Sequence, residues 1–180
     1  GISIKEAVRY GVARGLFSNE AGMGSTPHAH AMAKVAKPQD QGAVAMVGVF
    51  IDTFIVLTMT ALVILTSGML GTTGADGQML TATALAQAAF NNSFGSFGSI
   101  FVAICLLFFA FSTIIGWYFF GESNVKALFG GSKKATAIYG IIALVFIVVG
   151  SFQKVGLVWD MSDMFNGLMV IPNLLACLAL

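Results

Sequence analysis

The chain has 180 residues, of which 57% are hydrophobic and 9% charged, with a formal net charge of +1. Soluble domains carry roughly 25% charged residues, so this composition belongs to a protein that resides in lipid. A near-neutral balance leaves no basic stripe to neutralise phosphates, which excludes a nucleic-acid partner. Cys105 and Cys177 both sit in apolar runs and read as small hydrophobes, not as a disulfide framework or metal ligands.

The first element, residues 4–36, carries Lys5, Glu6, Arg9, Arg14 and Glu20, each costly against open lipid. Val8, Val12 and Leu16 recur every four residues, a helical stripe, before Gly15, Gly22 and Gly24 interrupt it. Thr26 as N-cap and Pro27 at the first helical position restart the helix. The expected form is two half-helices around an unwound centre, packed inside a bundle. Lipid offers no water to unpaired peptide groups, so irregular backbone at membrane depth persists only where protein buries it or a polar cavity runs past it. A ligand is the usual occupant of such a cavity, and transport is the role this predicts.

Apolar runs near residues 43–69, 98–121, 135–152 and 158–180 approach or exceed the roughly 20 helical residues needed to span a membrane. The last is interrupted by Pro172. A short external helix is expected at about 79–91, because Thr81 to Phe90 is apolar and alanine-rich between turn signals. Lys34 and Lys37 follow the broken element, and Lys126, Lys133 and Lys134 occupy the next but one connection; by the positive-inside rule both are cytoplasmic. The loop at 70–97, with Asp76, and the connection at Lys154 are then external. The chain begins at Gly1 without an initiator methionine and stops at Leu180 inside an apolar run, and is expected to be a fragment.

Several residues invite chemistry. The Gly22-Met23-Gly24 turn and the helix after it can offer N–H groups to an anion, and the carbonyls near Leu16-Phe17-Ser18 suit an ammonium group or a cation. Glu20 either handles an ion or proton or is a hydrogen-bonded strut for the unwound backbone. Asn19 either binds ligand or satisfies freed peptide groups. Asp52, about ten residues into the second element, is expected to be paired, with Thr53 and Arg14 as candidates and proton handling as the alternative. Ser112 and Thr113 are adjacent hydroxyls that either supply oxygen to a hard cation or bond back to a carbonyl one turn earlier. Residues two apart on a helix point about 200° apart, so His28 and His30 cannot chelate one metal. No nucleophile–base pair stands at workable spacing, so an enzyme is not expected.

The run Phe17-Ser18-Asn19-Glu20-Ala21-Gly22-Met23-Gly24-Ser25, followed by Pro27 and His28-Ala29-His30-Ala31, resembles the signature of the alanine/glycine:cation symporter family, the sodium:alanine symporters. Gly48 to Thr53 and Ser112 to Trp117 are similar to the same family. The resemblance implies an all-α integral membrane protein of the leucine-transporter type, represented by its second inverted five-helix repeat with a broken first helix. It further implies sodium-coupled symport of alanine and glycine across the cell membrane by alternating access, with no organic cofactor. Substrate would then meet Phe17, Ser18, Asn19, Ala21, Gly22, Gly24, Thr113 and Trp117, and sodium Ser112 and Thr113. Phe17 and Trp117 would leave room only for a small side chain, whereas Trp159 suits the membrane interface. The partners implied are a small amino acid, sodium, the lipid bilayer and a missing N-terminal repeat. The alternatives are a proton-coupled amino-acid or amine carrier of the same fold, with Glu20 or Asp52 titrating, and a non-transporting subunit or channel.

Overall fold

The computed structural model describes residues 3–75 and 77–179, so Gly1, Asp76 and Leu180, which the loop-charge and fragment readings used, lie outside it. The described residues form helices α1 (Ile4–Ser18), α2 (Thr26–His30), α3 (Pro38–Phe50), a π-helical segment (Ile51–Val56), α4 (Leu57–Thr66), α5 (Ala82–Phe94), α6 (Ser96–Leu128), α7 (Lys133–Ser151) and α8 (Val155–Ala179). A single antiparallel bridge, Thr73 to Met79, ties the loop before α5.

Four helical stretches, Pro38–Thr66, Ser96–Leu128, Lys133–Ser151 and Val155–Ala179, have 29, 33, 19 and 25 residues. At 1.5 Å per residue even the shortest reaches about 28 Å, close to the hydrocarbon thickness of about 30 Å. Their apolar side chains point outward: Leu107 and Phe146 are each 67% exposed. An apolar surface that extensive is covered by lipid or by further protein. The chain is an integral, multi-pass membrane protein.

Local signals account for the helix ends. Ser3 and Glu6 form a reciprocal capping box at α1, satisfying two orphan donors, and Ser132 caps α7 by accepting from the Ala135 N–H at 3.4 Å. The second element departs from a plain helix at Ile51–Val56, where the Leu57 N–H reaches back five residues to the Asp52 carbonyl. Such π-turns widen the helix and recur at functional sites; the apolar periodicity of this stretch gave no hint of one. The longest helix, α6, runs well past the expected limit of 121, and Glu122 and Lys126 pair at 3.1 Å one turn apart in the added stretch. These two and Lys133 border an open cleft of about 500 Å³ between α6 and α7.

The chain divides into two compact units, one formed by residues up to Gly42 together with Gly116 onward, the other by Ala43–Ile115. In the first, α6 and α7 meet through Tyr118 and Tyr139, whose ring centroids are 5.4 Å apart. In the second, Asn92 of α5 donates to the Ser67 carbonyl at the end of α4, 2.8 Å away, and Phe90 packs on Phe101 at 5.7 Å. The α5–α6 turn is tight enough that a Cβ on Gly98 would overlap the Phe90 carbonyl and lie 2.6 Å from the Asn91 nitrogen.

Backbone atoms cannot give way as a side-chain tip can. Gly98→Ala should therefore cost about 1–3 kcal/mol and lower the unfolding midpoint of the full protein in detergent. Gly150→Ala, where an added Cβ meets nothing within 4 Å, should leave it unchanged.

Candidate functional site

The site is built from the end of α1. Here the Asn19 N–H still bonds the Gly15 carbonyl at 3.1 Å, but the Glu20 N–H turns to Phe17 at 3.1 Å and the Ala21 N–H reaches back to Leu16 at 3.0 Å. The carbonyls of Gly15, Leu16 and Phe17 thus each accept a bond from the break itself. Asn19 also donates its Nδ2 to Gly15 at 3.3 Å, so its carboxamide helps satisfy the freed backbone.

Glu20 then adopts φ +50°, a left-handed conformation unusual for a residue with a Cβ. Its carboxylate bridges across the turn: Oε2 accepts from the Ser25 hydroxyl at 2.5 Å and from the Thr26 hydroxyl at 2.9 Å. Ser25 is 1% exposed, the most deeply buried polar side chain of the described residues. Strained backbone persists where surrounding bonds over-determine it, and these two charge-assisted bonds serve that purpose. Thr26, expected as the N-cap of the restarting helix, is instead its first residue. Ser25 occupies the cap position without a side-chain cap bond, because both hydroxyls are committed to Glu20.

Gly22 and Gly24 have φ +78° and +76°. At Gly24 a second constraint applies, since an added Cβ would stand 2.7 Å from Oδ1 of Asn173 on α8. The Asn173 Nδ2 donates to the Gly22 carbonyl at 3.0 Å. The half-helix α2 has five residues, shorter than the expected run to residue 36, so it offers an anion local N–H groups and not a long helix's dipole.

Around the break, the side chains sort into two groups. Arg14 makes a two-pronged ion pair with Asp163 of α8, at 3.1 and 3.2 Å, and its guanidinium lies 4.6 Å from the centre of the Trp159 ring. Trp159 meets Phe17 edge-on at 5.2 Å. On α6, half-buried Trp117 packs edge-on against Phe120 at 5.8 Å, and Phe120 lies 5.8 Å from the His28 ring. His28 donates Nδ1 to the carbonyls of Gly24 and Ser25, both at 3.1 Å, whereas His30 Nδ1 contacts Gln41 Nε2 at 2.7 Å. The two histidines serve different partners.

In the other unit, Ser112 donates its hydroxyl to the Phe109 carbonyl at 3.1 Å, the back-bond common in membrane helices. Its oxygen lone pairs stay directed outward from that bond. Thr113 is exposed on the same helix. Asp52 lies in the π-helical segment and is half-buried. Sequence reasoning did not single out Asp163 or Asn173, although a carboxylate and a carboxamide in an apolar span were the signal available.

Against known proteins, the model of the sodium:alanine symporter family matches residues 1–180. The chain belongs to that family. It is 46% identical over 176 residues to a probable sodium/glutamine symporter of Bacillus subtilis, covering 98% of this chain and 36% of that protein. It is 40% identical over 180 residues to a sodium/alanine symporter of Methanococcus maripaludis, all of this chain and 39% of that one. A sodium/proton-dependent alanine carrier of a Bacillus species is 37% identical over 186 residues, 97% of this chain and 42% of that protein. The chain therefore spans a little over a third of the length of these relatives. No solved structure matches it.

If Glu20 is a strut, its shape matters more than its charge. Glu20→Ala removes both acceptor contacts and should cost about 1–3 kcal/mol, read as a lower unfolding midpoint of the full protein. Glu20→Gln keeps an oxygen for Ser25 or Thr26 and should recover most of the loss; equal damage from both would assign the effect to the charge.

Proposed function

We propose that the full protein carries small neutral amino acids, alanine and glycine, across the cell membrane together with sodium, and that this chain is the second inverted repeat of a leucine-transporter-type fold. The observation that carries the reading is the unwound segment from Asn19 to Ser25 between α1 and α2, inside a chain whose whole length matches the sodium:alanine symporter family. Two relatives with alanine in their names support the substrate class. In this reading the amino acid lies along Phe17, Ser18, Asn19, Ala21, Gly22 and Gly24, with Thr113 and Trp117 as further contacts. Glycine turns let the peptide groups approach it closely.

Sodium needs oxygen, not nitrogen or sulfur, and the Ser112 and Thr113 hydroxyls are the oxygens we assign to it. A hydroxyl that donates to a carbonyl, as Ser112 does, can still accept a cation on its lone pairs. Binding of both solutes would favour one arrangement of the two repeats, and release on the other side would follow their rocking. Glu20 acts as the strut of the break and leaves the driving charge to sodium.

A second reading has a specific support, the relative named as a probable sodium/glutamine symporter at 46% identity. It changes the substrate's size and leaves the coupling intact. A proton-coupled version, suggested by the sodium/proton-dependent relative, would place the titration on Asp52 or Glu20.

Full-length protein in proteoliposomes should accumulate radiolabelled alanine only under an inward sodium gradient. Equal uptake in sodium-free buffer under a pH gradient would replace sodium by protons. Excess unlabelled alanine should compete at least tenfold better than glutamine; the reverse order would favour the larger substrate. Trp117→Ala should narrow that gap by admitting larger side chains, and unchanged competition would remove Trp117 from the pocket.

A further inference from the structure

Helix α8 reaches the break with a stripe of half-buried residues, Ser162, Asn166, Met169, Val170 and Asn173, spaced as one face of a helix. Asn173 ends that stripe and touches the irregular backbone at two places. Its Nδ2 donates to the Gly22 carbonyl at 3.0 Å, a group that has left the helix and has no helical donor. Its Oδ1, Cγ and Cβ stand 2.7, 3.0 and 3.3 Å from where a Gly24 Cβ would be, so the same carboxamide fixes how closely the second glycine turn can approach.

We infer that Asn173 is a positioning residue for the solute site: it holds the Gly22 carbonyl and the Gly24 turn in the shape that presents the peptide groups of the break to the ligand. This rests on the reading of the break as the substrate site. The residue before it is Pro172, which lies inside α8 and has no N–H to return to the carbonyl four residues earlier. The turn of α8 from Leu168 to Pro172, just before the gripping carboxamide, therefore lacks one helical bond. Asp163, ten residues earlier, grips α1 through Arg14. About 15 Å of helix separates the two grips, one on α1 before the unwound segment and one inside it.

The test uses the full-length protein in proteoliposomes. Asn173→Asp has the same shape and no N–H₂ donor, and Asn173→Ala has neither; both should raise the alanine KM about tenfold while the maximal rate stays within about twofold. A wild-type KM in Asn173→Asp overturns the inference, and so does loss of maximal rate at unchanged KM. If wild-type protein shows no sodium-driven alanine uptake, the reading of the site has failed, and a second measurement still decides on Asn173. With Ala21→Cys as the sole cysteine, maleimide labelling should quicken at least fivefold on adding Asn173→Ala. An unchanged labelling rate means that Asn173 does not hold the break.

Discussion

An unpaired peptide group away from water costs several kcal/mol, and the segment from Gly15 to Thr26 answers most of the groups it frees from within the chain. A helix that stops at a break releases carbonyls and N–H groups together. Here the chain answers them from within: Leu16 and Phe17 accept from Ala21 and Glu20, Gly15 from Asn19 twice over, and Gly22 from Asn173. What remains unpaired is then a subset of the groups the break releases. A break that lacked these internal partners would collapse into helix or fill with water, and neither would discriminate among ligands.

The same economy explains the charges. Arg14 is spread over the Asp163 carboxylate and the Trp159 face, while Glu20 faces the Ser25 and Thr26 hydroxyls. A carboxylate that accepts from neutral hydroxyls one turn away stays compact. A fork-shaped guanidinium, by contrast, suits a two-oxygen partner on another helix. The positive charge therefore joins α1 to α8, and the negative one joins the two sides of a single turn.

Much of this was legible in the sequence. Glycines at 22 and 24 beside an acidic residue told of a broken helix, because no continuous helix in lipid needs such residues there. Long apolar runs told of the spans, since their length is set by the bilayer and not by tertiary detail. Three features were not legible. The π-helical turn at Ile51–Val56 has no signature in the apolar periodicity, which runs through it unchanged. The short reach of α2 was hidden because Ala31 to Val35 are acceptable helix formers. Asn173 escaped because its role depends on a partner about 150 residues away, and nothing local in an apolar run with a proline points to Gly22.

The division of labour around the break also says why α8, and not a loop, supplies the distant contact. A loop could donate one hydrogen bond to Gly22, but its own peptide groups would need partners at the same depth. A helix brings a donor on a backbone already satisfied, except at Pro172, where one bond is missing. That omission frees the Leu168 carbonyl one turn before the carboxamide, while the ion pair at Asp163 ties the same helix to α1. Helix α8 thus meets the first element at two places, the Arg14 guanidinium and the Gly22 carbonyl, from one hydrogen-bonded backbone.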